Sequence, residues 1–88
     1  MTVLHKLTGN FTEAVVDDEI ILMRLDSGEL LSLTETAAAL WRLIDGSRDR
    51  DALVAALGAE FDADEQLIAR DVGELLHKLK EAGLVAEG

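Results

Sequence analysis

The segment GELLSLTETAAALWRLIDG, residues 28–46, changes its apolar spacing at a single residue, Thr34. Before Thr34 apolar and polar residues alternate, which is typical of a half-buried strand. After it the apolar residues recur at three and four positions, which is typical of a helix with one apolar face. These helical positions are Ala37, Leu40, Trp41 and Ile44. Thr34 suits the helix N-cap because its hydroxyl can accept from a free amide of the first turn. The segment therefore predicts a strand that leads directly into a helix.

Two more strands are predicted upstream, where short apolar runs are separated by turn residues. The first covers Thr12–Val16, and the second, which is apolar on both faces, covers Glu19–Leu25. Residues 26–28, with the sequence DSG, supply a turn into the return strand Glu29–Leu33. Three strands joined by short turns predict an antiparallel meander. The third strand of a meander is an open edge unless another element covers it.

Two further helices are predicted downstream. The second helix begins near Asp49, an N-cap candidate, and runs to about residue 60, with Phe61 packed just beyond it. The third begins near Asp62 or Asp64 and ends at Gly83. The predicted buried positions are Leu53, Ala56 and Leu57 in the second helix and Ile68, Val72, Leu75, Leu76 and Leu79 in the third. A three-stranded antiparallel meander followed by three helices is an α+β fold.

The net charge of the chain limits the classes of molecule that it can bind. Its 88 residues include 18 Asp and Glu against 8 Lys and Arg, a formal net charge of −10. Proteins that bind nucleic acid neutralise phosphates with clustered Lys and Arg. The basic residues here are scattered, so we expect no nucleic-acid partner. On the third helix, Glu74 and Lys78 stand four residues apart in the order that favours an ion pair.

The length fits one domain over residues 1–88, in which residues 1–10 carry few signals. Val3 and Leu7 fit either a core contact or the start of an edge strand, and flexibility of these ten residues is the alternative. The sequence has no secretory signal, no cysteine and no apolar run of roughly 20 residues. We therefore expect no membrane association and a cytoplasmic location.

Motifs for catalysis or metal binding are not recognisable in the sequence. The two histidines, His5 and His77, have no cysteine to join them, and the seven glycines are dispersed. Ser27 follows an aspartate, as in small acidic carrier proteins, but it lies between two predicted strands and not at the start of a helix. We expect no metal, no cofactor and no enzymatic activity.

Four pieces of the chain, in their order and spacing, resemble the PqqD-like family of RiPP recognition elements. They are the hairpin LMRLDSGELLSL, the helix from TETAAALW to DG, the helix around DALVAAL with its trailing EFD, and the last helix closing with EAGLV. The resemblance covers about Asp18 to Val85 and implies a winged-helix-like fold. Members of this family bind the leader segment of a ribosomally made precursor peptide and deliver it to a modifying enzyme. The resemblance therefore implies a non-catalytic recognition module.

The resemblance also implies partners and a site. The implied partner enzymes are a radical-SAM protein, as in pyrroloquinoline quinone synthesis, or a leader peptidase, as in lasso-peptide maturation. The leader would add as a strand antiparallel to the third strand of the meander, in a groove bordered by the last helix. The implied contacts are Leu30, Leu31, Ser32 and Leu33 on the strand and Leu67, Asp71, Leu75 and Lys78 on the helix. Taken singly, each of these leucines is more often a core residue.

Two alternatives stay open. A winged-helix topology also suits a DNA-binding or regulatory domain, although the segment ALVAALGAEF of the second helix lacks the Arg, Lys and Asn side chains that usually reach base edges. An open edge strand also suits pairing with a second copy of the chain, which would make a homodimer without a peptide substrate.

Overall fold

The computed structural model describes residues 2–88 as three antiparallel strands followed by three helices, with a short strand added at each end. The elements are β1 (Leu4–Lys6), β2 (Phe11–Val16), β3 (Glu19–Arg24), β4 (Leu30–Leu33), α1 (Glu35–Leu43), α2 (Arg50–Phe61), α3 (Glu65–Glu81) and β5 (Val85–Glu87), with one turn of 3₁₀ helix at Thr8–Asn10. The predicted α+β architecture is confirmed, and the closer likeness to a winged helix stays a prediction.

The strands β2, β3 and β4 form one antiparallel sheet in that order, as the meander predicts. Ile20 of β3 lies opposite Leu33 of β4, and Leu22 lies opposite Leu31. Because side chains alternate between the two faces of a sheet, these four residues share one face. Ile20, Leu22 and Leu33 are buried in the core, and α1 contacts β3 and β4. The other face of the sheet therefore points away from the core.

A second sheet joins the two ends of the described chain. β1 and β5 pair antiparallel, with Leu4 opposite Glu87. β5 was not predicted, and an edge strand near β1 was only one of two readings of Val3 and Leu7, because three residues are too few to show a period. Leu4 and Val85 are nevertheless buried in the core, whereas Val3 and Leu7 are only half-buried. The segment before β2 is therefore anchored by Leu4.

α1 begins one residue after β4, with Thr34 at the predicted N-cap position. The Thr34 hydroxyl makes no capping hydrogen bond, so the predicted side-chain cap is wrong. The Thr34 carbonyl accepts from the amides of Ala37 and Ala38 at 3.0 and 3.4 Å. The next residue, Glu35, has a φ of 52°, in the left-handed region that residues with a Cβ rarely occupy. This left-handed residue redirects the chain from the sheet into the helix.

Aspartates mark the boundaries of α2 and α3. Asp49 accepts from an amide of the first turn of α2 at 2.8 Å, as its predicted cap position requires. Asp64 caps α3 in the same way, accepting from the Gln66 amide at 2.8 Å. Asp62, the other candidate for the start of α3, instead ends α2 in the left-handed conformation. The helices are therefore separated by a sharp turn.

The end of α3 is a Schellman motif. Gly83 has a φ of 77°, and its amide donates to the Lys80 carbonyl at 3.0 Å. The amide of Leu84 donates to the Leu79 carbonyl at 3.0 Å. These two bonds define the motif, and the buried Leu84 side chain supplies the apolar contact that accompanies it. The predicted helix end at Gly83 is confirmed, and the chain turns from there into β5.

Trp41 joins α1 to both sheets and is fully buried. Its ring meets Phe11 of β2 edge-on, with the ring centroids 5.2 Å apart. Its indole N–H donates to the Glu13 carboxylate at 3.1 Å, and the ammonium of Lys6 on β1 lies 4.5 Å from the ring centroid, within cation–π range. Burial lowers the pKa of Lys6, while the nearby Glu13 and Asp45 carboxylates oppose this shift.

Replacing Trp41 with alanine should lower the free energy of unfolding by about 3–5 kcal/mol, the range for deleting a large buried aromatic side chain. Phe61→Ala is the control. Phe61 is the last residue of α2 and is 40% exposed, so its expected packing beyond the helix is wrong. Its removal should cost less than about 1 kcal/mol. Urea melts followed by circular dichroism measure both values, and equal losses would contradict the central position of Trp41.

Replacing Glu35 with glycine should leave the free energy of unfolding unchanged or raise it by up to about 1 kcal/mol, because glycine occupies left-handed backbone without a Cβ clash. Glu35→Val should lower it by about 1 kcal/mol, because a β-branched residue fits that region poorly. The same melts compare the two variants. If glycine destabilised as much as valine, the left-handed conformation of Glu35 would be contradicted.

Candidate functional site

β4 is an edge of the sheet, since it pairs with β3 alone. Just before β4, the Arg24 amide donates to the Glu29 carbonyl at 2.9 Å. Backbone groups of an antiparallel pair alternate between bonded and non-bonded positions. The amides of Leu31 and Leu33 therefore point toward β3. The residues that present their amide and carbonyl groups to the open side are Leu30 and Ser32.

Arg24 holds the turn that positions β4. Its guanidinium donates to Asp26 at 3.0 Å and to Glu29 at 3.2 Å, which bridges the two sides of the hairpin. These bonds raise the pKa of Arg24, and the bond from Arg24 lowers the pKa of Asp26. Toward the other end of β4, the Ser32 hydroxyl donates to the Glu19 carboxylate on β3. Side-chain contacts therefore hold β4 against β3 near both of its ends.

A groove of about 250 Å³ lies between α1 and α3. Its inner surface is apolar, with the buried Leu57 and Val72 at its base, and charged side chains border it. The other lining residues are Thr36, Ala37 and Leu40 of α1 and Asp71, Glu74, Leu75 and Lys78 of α3. This combination suits an apolar ligand segment that carries charge at defined positions.

The three charged residues of the groove are exposed and unpaired. Asp71, Glu74 and Lys78 form no ion pair with any of residues 2–88. The expected ion pair between Glu74 and Lys78 is therefore wrong, although their spacing permits it. Their charges stay available to a ligand.

The eight predicted site residues fall into two groups. Asp71, Leu75 and Lys78 line the groove. Leu67 is 53% exposed and stands one turn before Asp71 on the same face of α3, outside the groove lining. The four β4 residues do not line the groove either, but α1, which does, begins directly after them. The open edge and the groove are therefore joined through the start of α1.

Six residues that line the groove were not predicted as site residues: Thr36, Ala37, Leu40, Leu57, Val72 and Glu74. Ala37 was assigned to the buried face of α1, and the structure leaves it half-buried. Its small side chain leaves space above the helix, which is the signal that could have identified it. Glu74 was considered only as a partner of Lys78.

The sheet has a second open edge, which the sequence reasoning also missed. β2 pairs with β3 alone, as the first strand of any three-stranded meander must. The Leu25 amide donates to the Asn10 carbonyl at 3.0 Å, and this bond fixes the alternation along β2. The residues whose backbone groups face the open side of β2 are Phe11, Glu13 and Val15. This edge provides an internal comparison for β4.

Within residues 2–88, no three His, Cys, Asp or Glu side chains converge to a geometry that could hold a metal ion. His77 lies 3.1 Å from Glu81 on the exposed side of α3. In the same part of the chain, no helix combines the length and the apolar character that crossing a membrane requires.

The comparison with known families shows to which family the chain belongs. The family model described as coenzyme PQQ synthesis protein D (PqqD) matches residues 19–85. The chain therefore belongs to the PqqD family. Two PqqA binding proteins, from Rhodopseudomonas palustris strains TIE-1 and ATCC BAA-98 / CGA009, are each 36% identical to it over 58 residues. The aligned segment covers 66% of this chain and 57% of each relative, so the match spans little more than half of their length.

Two solved structures share the fold. TbiB1 in complex with the TbiA(beta) leader peptide superposes with a TM-score of 0.78 and 26% identity, covering 86% of this chain and 88% of TbiB1. Lasso peptide synthetase B1 complexed with the leader peptide gives a TM-score of 0.81 and 23% identity, covering 94% of this chain and 96% of that protein. The arrangement of strands and helices is therefore that of leader-binding relatives.

Acid should weaken the hairpin that positions β4. Because the bond from Arg24 lowers the folded-state pKa of Asp26, Asp26 stabilises the fold above its unfolded pKa of about 3.9, and this contribution is lost as pH falls through the lower folded value. Asp26→Asn should therefore flatten the fall of the melting temperature below about pH 4. Asp26 is exposed and Arg24 is half-buried, so solvent screens the pair and the change is small. Asp18→Asn, in the other hairpin, is the control, and identical slopes for the two variants would contradict the assignment.

Proposed function

We propose that this protein binds an extended peptide as an added strand at β4, and that the peptide is the leader segment of a ribosomally made precursor. The observation that carries the proposal is the open edge of β4 beside the groove between α1 and α3. The relatives named PqqA binding protein and the solved complex of TbiB1 with a leader peptide support this class of ligand.

Strand addition divides the recognition between backbone and side chains. Leu30 and Ser32 offer amide and carbonyl groups that any peptide backbone can satisfy, so these bonds give affinity with little dependence on sequence. Leu30 is 65% exposed, and its side chain is free to pack on a neighbouring strand. Selectivity then comes from the groove, where Leu75, Asp71 and Lys78 meet the side chains of the ligand.

The proposed role is recognition without catalysis. Binding of the leader requires no covalent step, and it raises the effective concentration of the rest of the precursor for an enzyme held by the same protein. The proposed partner is either a radical-SAM enzyme, in keeping with the PQQ synthesis that the family description names, or a leader peptidase, in keeping with the lasso peptide synthetase among the solved structures. The cytoplasm, where ribosomes make the precursor, is the proposed location.

The alternatives have less support. Nucleic-acid binding is disfavoured by the net charge of −10 and by α2, whose only basic residue, Arg50, lies at its first position. Homodimerisation is favoured by one observation, the open β2 edge. It would place two strongly acidic chains side by side, which like-charge repulsion opposes.

Leu30→Pro should weaken binding of the leader peptide at least about tenfold, because proline removes an outward-facing amide and one backbone bond to the ligand. Val15→Pro is the matched control. It removes an outward-facing amide from the β2 edge, at a valine that is 60% exposed. Titration of a fluorescent leader, taken from the precursor gene nearest to this one, measures both affinities, with circular dichroism as the folding control.

Leu31→Pro is a second control. It removes an amide that points to β3, so it should lower the stability of the sheet itself. If Leu30→Pro folds and binds as tightly as the parent, strand addition at β4 is wrong. If Val15→Pro alone abolishes binding, the peptide adds to β2.

A further inference from the structure

A strand added at β4 has two faces, and both meet apolar surface. Side chains alternate along the sheet, so Leu30 and Ser32 share the outer face, and Leu31 and Leu33 share the core face. Leu30 lies opposite Met23 of β3, and Ser32 lies opposite Ile21. Leu30 and Met23 are exposed and Ile21 is half-buried, so the outer face beside β4 carries an apolar patch that meets solvent, next to the polar contact of Ser32 with Glu19. The face of an antiparallel sheet that meets solvent usually carries polar side chains.

On the core side, the groove between α1 and α3 provides a second apolar surface, and charged side chains border it. Ala37, Leu40 and Leu75 provide the apolar contacts. Asp71 and Glu74 stand three residues apart on one side of α3, and Lys78 follows one turn later. None of the three charges is neutralised by another of residues 2–88. The groove therefore offers two unpaired carboxylates against one ammonium.

We propose, resting on the proposed function, that the site selects a basic, largely apolar segment: an extended run with apolar side chains on both faces and a Lys or Arg that meets Asp71 and Glu74. Charge complementarity favours this ligand over an acidic one in two ways. The two carboxylates attract a cation locally, and the net charge of −10 steers basic peptides toward the protein and acidic ones away. Lys78 forms an ion pair with one acidic residue of the ligand, and this contact fixes the direction of the ligand along the groove.

The test is a selection from a displayed library of random peptides of about twelve residues, which span roughly 40 Å when extended. The parent protein should enrich peptides that combine consecutive apolar residues with more Lys and Arg than Asp and Glu. The double variant Asp71→Lys/Glu74→Lys should reverse this preference. It should also weaken the best parent-selected peptide about tenfold, as expected when two exposed attractive pairs become repulsive.

The control variant is Glu60→Lys/Glu81→Lys, which changes the net charge by the same amount at exposed positions outside the groove. It should keep the preference of the parent for basic peptides. If the control loses this preference as fully as the groove variant, net charge alone selects the ligand and the assigned contact is wrong. If the parent enriches peptides without a basic excess, the proposed ligand class is wrong while peptide binding stands. If no peptide is enriched by a folded parent, peptide binding itself is contradicted.

Discussion

The buried side chain of Trp41 is the contact on which the relative placement of sheet and helices depends. It packs on Phe11, bonds Glu13 and carries the Lys6 ammonium on its ring, so one residue of α1 touches both β1 and β2. An aromatic ring buries more area than any other side chain, and in a chain with only 3% aromatic residues this contact has no substitute. Because β4 runs directly into α1, the same contact sets where the open edge lies relative to the groove.

The two open edges of the sheet are not equivalent, although both leave backbone groups unpaired. The edge of β2 lies beside Glu13, whose carboxylate is occupied by the Trp41 indole. The edge of β4 leads through Thr34 into the residues of α1 that line the groove. A strand added there would lie beside this apolar groove, whereas no residue of β2 lines it. Position in the fold, and not hydrogen-bonding capacity, therefore distinguishes the edge of β4 from the edge of β2.

The sequence predicts those parts of the fold in which local spacing and tertiary packing agree. A few adjacent residues predict the change from strand to helix at Thr34, the N-cap of α2 at Asp49 and the end of α3 at Gly83. The structure confirms the position of each. The pairing of β1 with β5 was missed because it joins residues about 80 positions apart in sequence, where no local period exists. Glu35 was missed because its left-handed backbone is imposed by the junction between sheet and helix, against its own preference.

In the candidate site, too, some features follow from local sequence and others depend on tertiary packing. Its α3 residues Asp71, Leu75 and Lys78 were implied by the resemblance to the PqqD-like family, and they share one face because a helix places every third or fourth residue on one side. The contribution of α1 was not, because it depends on how α1 and α3 pack together. The charges of the groove also depend on packing, since Glu74 and Lys78 have the spacing of an ion pair and do not form one. A paired Glu74 and Lys78 would leave only Asp71 uncompensated at the border of the groove. Unpaired, the three side chains give the border three separate charges, which its apolar lining alone would not provide.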